Sequence, residues 1–115
     1  MTKRNREQRP LVYICSPLAG DMAANMEKAR AYCRFALEQQ VVPIAPHLLF
    51  PQFMDEDTPE RRALALEMGL ALVQKCSELW YFGQRVSSGM AGEIEEAQRL
   101  QMRVRHFTAD CREVV

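Results

Sequence analysis

Ser87-Ser88-Gly89-Met90-Ala91-Gly92-Glu93-Ile94-Glu95-Glu96-Ala97 has the residues of a loop that turns into a helix, and it follows the most strand-like run of the chain, Leu79-Trp80-Tyr81-Phe82. A serine oxygen at 87 or 88 can accept from the free backbone N–H groups of a helical first turn. Those N–H groups, the small residues and the positive end of the helix dipole together favour an anion. The three glutamates differ. Glu95 and Glu96 fall on a line with Gly92, Gln98 and Arg99, which makes Glu95–Arg99 an i,i+4 surface pair. Glu93 lies with Met90, Ala97 and Leu100 at the edge of the apolar stripe, so its carboxylate is steered toward the protein body. It reads either as a first-turn acid favoured by the dipole or as a partly buried carboxylate at the mouth of a site.

Outward from this unit the same alternation recurs. Leu11-Val12-Tyr13-Ile14-Cys15 is a near-continuous apolar strand, as a parallel sheet covered on both faces requires, and Ser16-Pro17-Leu18-Ala19-Gly20 ends it. Asp21 or Asn25 then caps a helix to about Gln39, with Met26, Ala29, Cys33 and Ala36 or Leu37 on its inward line. Val41-Val42-Pro43-Ile44-Ala45 reads as a second strand, and its proline, which cannot donate to the ladder, places it at an edge. Pro46 to Asp57 reads as a long apolar loop, of the kind used for lids or contact surfaces. Thr58-Pro59-Glu60 starts a helix to about Lys75 that is apolar on more than one face, as if buried between the sheet and something else. A last strand, Val104-Arg105-His106-Phe107, is followed by a segment without a clear signal.

The order β-α-β-α-β-α-β predicts a single-domain Rossmann/flavodoxin-like three-layer α/β sandwich, with a four- to five-stranded parallel sheet in the order 2-1-3-4. Residues 1–10 are expected as a basic, flexible tail, 11–108 as the domain and 109–115 as a C-terminal tail. In such sheets ligands bind beyond the carboxyl ends of the strands, where the strand order reverses. The loops expected there are Ser16 to Asp21 and Gly83 to Gly89, so topology and the Ser87 stretch converge on one place.

Composition narrows the function. The 115 residues suit one domain, and 15 basic against 15 acidic side chains leave no polyanion footprint. No apolar run approaches the roughly 20 residues that span a bilayer, and a cytoplasmic location with no membrane partner is expected. Cys15, Cys33, Cys76 and Cys111 are widely spaced and form no C-x-x-C pair, and the only histidines are His47 and His106. They suggest neither a disulfide frame nor a metal centre, and no cofactor is expected.

The residues Val12 to Gly20 followed by a helix, together with the serine- and glycine-containing loop and Glu93, resemble nucleoside 2-deoxyribosyltransferases and the related deoxynucleoside 5′-monophosphate N-glycosidases. Small bacterial and phage relatives of these enzymes share Pro46-His47-Leu48 and the Trp80-Tyr81-Phe82-Gly83 lead-in. The resemblance runs from about Leu11 to Phe107. It implies that Glu93 is a nucleophile toward the anomeric carbon of a (deoxy)ribosyl group, with Tyr13 hydrogen-bonded near it or the sugar. Ser16, Ser87, Ser88 and Gly89 would hold a 5′-hydroxyl or 5′-phosphate, and Pro17, Leu18, Gly20, Asp21, His47 and Met90 would complete the substrate site. It also implies a homo-oligomer, a dimer or larger, acting on a small nucleoside or nucleotide and not on a nucleic-acid polymer. From the residues alone, Tyr13 reads equally as a packed strand aromatic, Ser16 and Ser87 as turn residues, and His47 as structural.

The chain departs from the family at two acids. An aspartate that handles the base stands in the helix before the third strand in family enzymes; here that position is Gly69, with Glu67 nearby. A second, at the start of the third strand, is Ser77 here. Protonating a departing base requires an acid, and Asp21, Asp55, Asp57 and Glu67 are the candidates. An N-glycosidase or deoxyribosyltransferase is therefore the first expectation. A non-catalytic binding module for a nucleotide-derived ligand is the second, and an assembly subunit the third.

Overall fold

The computed structural model describes residues 9–115; most of the expected N-terminal tail lies outside the described residues. Five strands, β1 (Leu11–Cys15), β2 (Val42–Ile44), β3 (Glu78–Phe82), β4 (Arg103–Phe107) and β5 (Glu113–Val114), form one sheet in the order β2-β1-β3-β4-β5. The first four are parallel, and β5 runs antiparallel to β4. The order therefore reverses between β1 and β3, as the sequence predicts. Pro43 sits on the edge strand β2, where its missing N–H costs no ladder bond.

Alternation along β1 divides the core into two layers. Val12 and Ile14 face helix α1 (Met22–Glu38) and pack with Tyr32, Ala36, Trp80, Phe82 and Phe107. Tyr13 and Cys15 face helices α3 (Pro59–Val73) and α4 (Ser88–Arg99) and pack with Val73, Leu79, Met90 and Ala97. Tyr32 stacks on Phe82 with ring centroids 4.2 Å apart, and Phe35 meets the edge of Phe107 at 5.2 Å. Burying each such side chain stabilises the fold by about 1.5–3 kcal/mol. The α1 stripe is thus centred on Ala29, Tyr32 and Ala36, and Leu37 is exposed. The aromatic contacts of Tyr32 and Phe35 decide that rotation.

Caps set the helix starts. Asp21 accepts from the Ala24 N–H at 3.1 Å and begins α1, whereas Asn25 donates to the carbonyls of Leu18 and Ala19, folding the β1–α1 loop onto the helix. Thr58 accepts from Arg61 N–H and begins α3, with Pro59 at its first position. The expected loop after β2 is locally helical: α2 (Pro46–Leu49) is followed by a 3₁₀ turn, Phe50–Gln52.

Three further differences are non-local in origin. Arg99 pairs with Glu96 rather than Glu95, through Nε–Oε1 at 2.9 Å and Nη2–Oε2 at 2.7 Å, because Gln74 of α3 also donates to Glu96 and draws it inward. In α3 only Gly69 and Val73 are buried, and Leu64 and Leu66 remain about half exposed. Beyond Phe107, where the sequence carries no clear signal and a tail is expected, β5 forms. Arg105 is the reason: it binds Glu113 through two hydrogen bonds, 2.9 and 2.6 Å, and lies over the Trp80 and Phe107 rings.

Candidate active site

A cavity of about 490 Å³ opens at the carboxyl ends of β1 and β3 on the α3/α4 side of the sheet. Its walls come from the β1–α1 loop, α2 and the segment after it, α3 and the start of α4. Ser87 caps α4, its Oγ accepting from the Met90 N–H at 3.3 Å. With the helix so fixed, Met90, Glu93 and Ala97 face inward, and Glu93 is a buried acid in the cavity wall, 7% exposed.

Two donors converge on that carboxylate. Tyr13 Oη donates to Glu93 Oε2 at 2.5 Å, and Cys15 Sγ donates to Oε1 at 3.3 Å. Both come from the face of β1 that packs against α4. Burial pushes the Glu93 carboxyl above its usual value, opposed by the hydrogen bonds from Tyr13 and Cys15 and by nearby His47. Burial, reinforced by the adjacent Glu93 charge, raises the Tyr13 hydroxyl and the Cys15 thiol as well, so both stay protonated and act as donors. Gly69 closes the back of this group. A Cβ there would lie 3.0 Å from Glu93 Oε2 and 3.1 Å from Tyr13 Oη. The space a side chain at 69 would take is thus filled by the Tyr13–Glu93 pair itself.

His47 sits on α2, and its Nε2 lies 2.6 Å from the Ser16 carbonyl oxygen. A carbonyl only accepts, so Nε2 carries the proton and Nδ1 is the remaining polar atom of the ring. Ser16 is 2% exposed, and its Oγ has no hydrogen-bond partner among the described residues.

Of the residues singled out from the sequence, Ser16, Leu18, Gly20, His47, Ser87, Ser88, Gly89, Met90 and Glu93 line this cavity together. Tyr13 does not line it; fully buried, it stands behind Glu93 and donates to its carboxylate. Asp21 is outside the wall, its carboxylate engaged in capping α1, and Pro17 belongs to a different cavity. Among the candidate acids Asp55 and Asp57 line the wall, whereas Glu67 does not. Sequence reasoning missed Cys15, which looks like any core cysteine, and the lining residues Glu56 and Arg62, for which no local pattern exists. Among the described residues no three His, Cys, Asp or Glu side chains are grouped to hold a metal ion.

The arrangement has the fold of the 2-deoxyribosyltransferases. It is similar to a 2-deoxyribosyltransferase from the psychrotolerant bacterium Bacillus psychrosaccharolyticus, with a TM-score of 0.67 and 15% identity over 85% of this chain and 72% of that one. It is also similar to a 2-desoxiribosyltransferase from Leishmania mexicana, with a TM-score of 0.59 and 15% identity over 86% of this chain and 64% of that one. The family model that matches is described as Domain of unknown function (DUF7768); it covers residues 10–107, and the chain belongs to that family. A search of the curated proteins finds no match.

Proposed function

We propose that the chain is an N-glycosidase or deoxyribosyltransferase acting on nucleosides or nucleoside 5′-monophosphates, with Glu93 as the nucleophile. The observation that carries this reading is the buried Glu93 carboxylate in a cavity wall, held by Tyr13 and Cys15. A carboxylate so held is aimed without being free to swing, and it splits a hard displacement into two easier ones. Oε1, which carries only the weak thiol donor, is the oxygen that attacks the anomeric carbon. The C–N bond breaks, the base leaves with the bonding pair and takes up a proton, and a glycosyl ester of Glu93 remains. Water resolves the ester to free sugar, or a second base resolves it to a new nucleoside.

The base must be protonated as it leaves, and Gly69 supplies no acid. Asp55 is poorly suited, because the Asp57 N–H and Arg61 hold its carboxyl below the usual value. His47, with its Nε2 proton committed to the Ser16 carbonyl, can serve as the acid from Nδ1 only in the doubly protonated imidazolium form. Ser87, Ser88, Gly89 and the first turn of α4 hold the 5′-hydroxyl or 5′-phosphate. Hydrolysis is placed ahead of transfer, since transfer needs a site that handles a second base and the aspartate for it is absent. That same absence supports the second reading, a binding module for a nucleotide-derived ligand.

We propose further that the protein is a homo-oligomer. Leu49, Phe53, Leu64 and Leu66 are exposed on α2, the turn after it and α3, a concentration of apolar side chains suited to a second copy. Sedimentation equilibrium giving a monomer at micromolar concentration would sink this part.

The functional test is base release, by chromatography, from a panel of nucleosides and their 5′-monophosphates. Wild type should release base from at least one, and Glu93→Ala and Glu93→Gln should lose the activity by a factor of at least ~10³. No release from any compound, with one of them still raising Tm, would transfer the assignment to the binding module.

A further inference from the structure

The crevice between β1 and β3 opens on both faces of the sheet, and the second opening is a separate cavity of about 360 Å³ on the α1 side. Tyr32 and Phe82, both in the core layer beneath α1, form its floor, and among the described residues Ser16 alone lines both this hollow and the Glu93 cavity. Its polar rim consists of Ser16, Asn25, Lys28, Gln84 and Arg85. Among the described residues no acidic side chain lines it. Lys28 and Arg85 form no ion pair or hydrogen bond among the described residues, whereas Glu27, the acid next to Lys28, is turned toward Arg30 and Arg34. Two exposed cations without an acidic partner give this hollow a positive rim, which favours an anion.

The third observation is Ser16. Its Oγ is buried and unpartnered, a state that buried hydroxyls rarely keep. Continuing the alternation of Val12 and Ile14, which face α1, the side chain at 16 falls on the side of this second cavity, whose wall it joins. The opposite rim is fixed as well. Gly83, at φ +102°, turns the chain out of β3; its N–H donates to the Phe107 carbonyl, and its own carbonyl accepts from His106 Nε2 at 2.7 Å. The loop that carries Arg85 is therefore anchored at its base.

We propose that this second cavity is an anion site for a phosphate group, free or carried on a small sugar, held by Lys28, Arg85 and the Ser16 hydroxyl. The assignment does not depend on the role of Glu93, and either can fail without the other.

Calorimetric titration of the full chain in low-salt, phosphate-free buffer tests it, with inorganic phosphate, ribose 5-phosphate and ribose as probes. Phosphate-bearing probes should bind and ribose should not. Lys28→Gln combined with Arg85→Gln should weaken binding about tenfold or more, and Ser16→Ala should weaken it with little change in Tm. Lys28 and Arg85 are exposed, so the double variant should fold, which circular dichroism would verify. Binding of inorganic phosphate alone supports the site and restricts it to the free anion. Binding of ribose 5-phosphate as well extends it to sugar phosphates. Absence of binding by wild type at millimolar probe overturns the proposal. So does a double variant that binds like wild type while Ser87→Ala does not, since the phosphate would then sit at the start of α4.

Discussion

Tyr13 Oη and Glu93 Oε2 are 2.5 Å apart, joining the first strand to the last helix across 80 positions of sequence. The contact lies in the layer where β1 packs against α4, and both side chains are buried. A buried carboxylate needs donors to remain ionised, and Tyr13 is the stronger of its two.

Replacing Tyr13 by Phe removes that donor and little volume. The Glu93 carboxyl should then titrate at a higher pH than in wild type, because burial would be opposed by one hydrogen bond fewer. The acidic limb of the pH–rate profile should move upward, and stability at neutral pH should fall by about 1.5–3 kcal/mol, the range for a hydrogen bond to a charged group. An unmoved limb would show that Tyr13 only fills space.

Glu93 itself should lower stability at neutral pH. Its folded-state carboxyl is raised above the usual 4.5, so the stability it leaves intact below that value is lost as pH rises through its folded pKa. Glu93→Gln does not titrate and keeps an acceptor for Tyr13. The variant should therefore match wild type near pH 4 and become the more stable protein toward pH 7. Denaturant midpoints measured across that range would contradict the account if the difference stayed constant.

Gly69→Ala sets two effects against each other. Alanine favours the helix by about 1 kcal/mol, but its Cβ would press on Glu93 Oε2 and Tyr13 Oη at 3.0 and 3.1 Å. Overpacking of that kind costs about 1–3 kcal/mol, so a net loss of about 0–2 kcal/mol is expected. Activity should fall more than stability, because the strain falls on the carboxylate. Chemical denaturation and base release on the same variant separate the two.

The legibility of this chain followed the range of the interactions. Caps such as Thr58-Pro59 and the apolar runs of β1 and β3 are local, and the sequence shows them. The strand order followed from the alternation of elements, and the position of Glu93 from helical spacing with Met90 and Ala97. What stayed hidden depends on partners distant in sequence. Cys15 meets Glu93 78 positions away, and Gly69 matters only for what stands against it in space. The strand β5 owes its place to Arg105, and Asp21 lies near the site in sequence but is used up as a cap.

Ser87 and Ser88 separate local structure from ligand binding. Ser87 Oγ accepts from Met90 N–H and caps α4, whereas Ser88 lines the same cavity as the first residue of the helix. Ser87→Ala should cost about 1 kcal/mol, the usual loss for a cap, and should weaken activity through the register of Glu93, six residues further on. Ser88→Ala should leave stability within about 0.5 kcal/mol, as surface substitutions do. If Ser88 holds the 5′ group of the substrate, its loss should raise KM with kcat little changed, since it removes binding common to ground and transition states. Steady-state kinetics and denaturation of the two variants, run side by side, would contradict this division if Ser88→Ala lowered stability as much as Ser87→Ala.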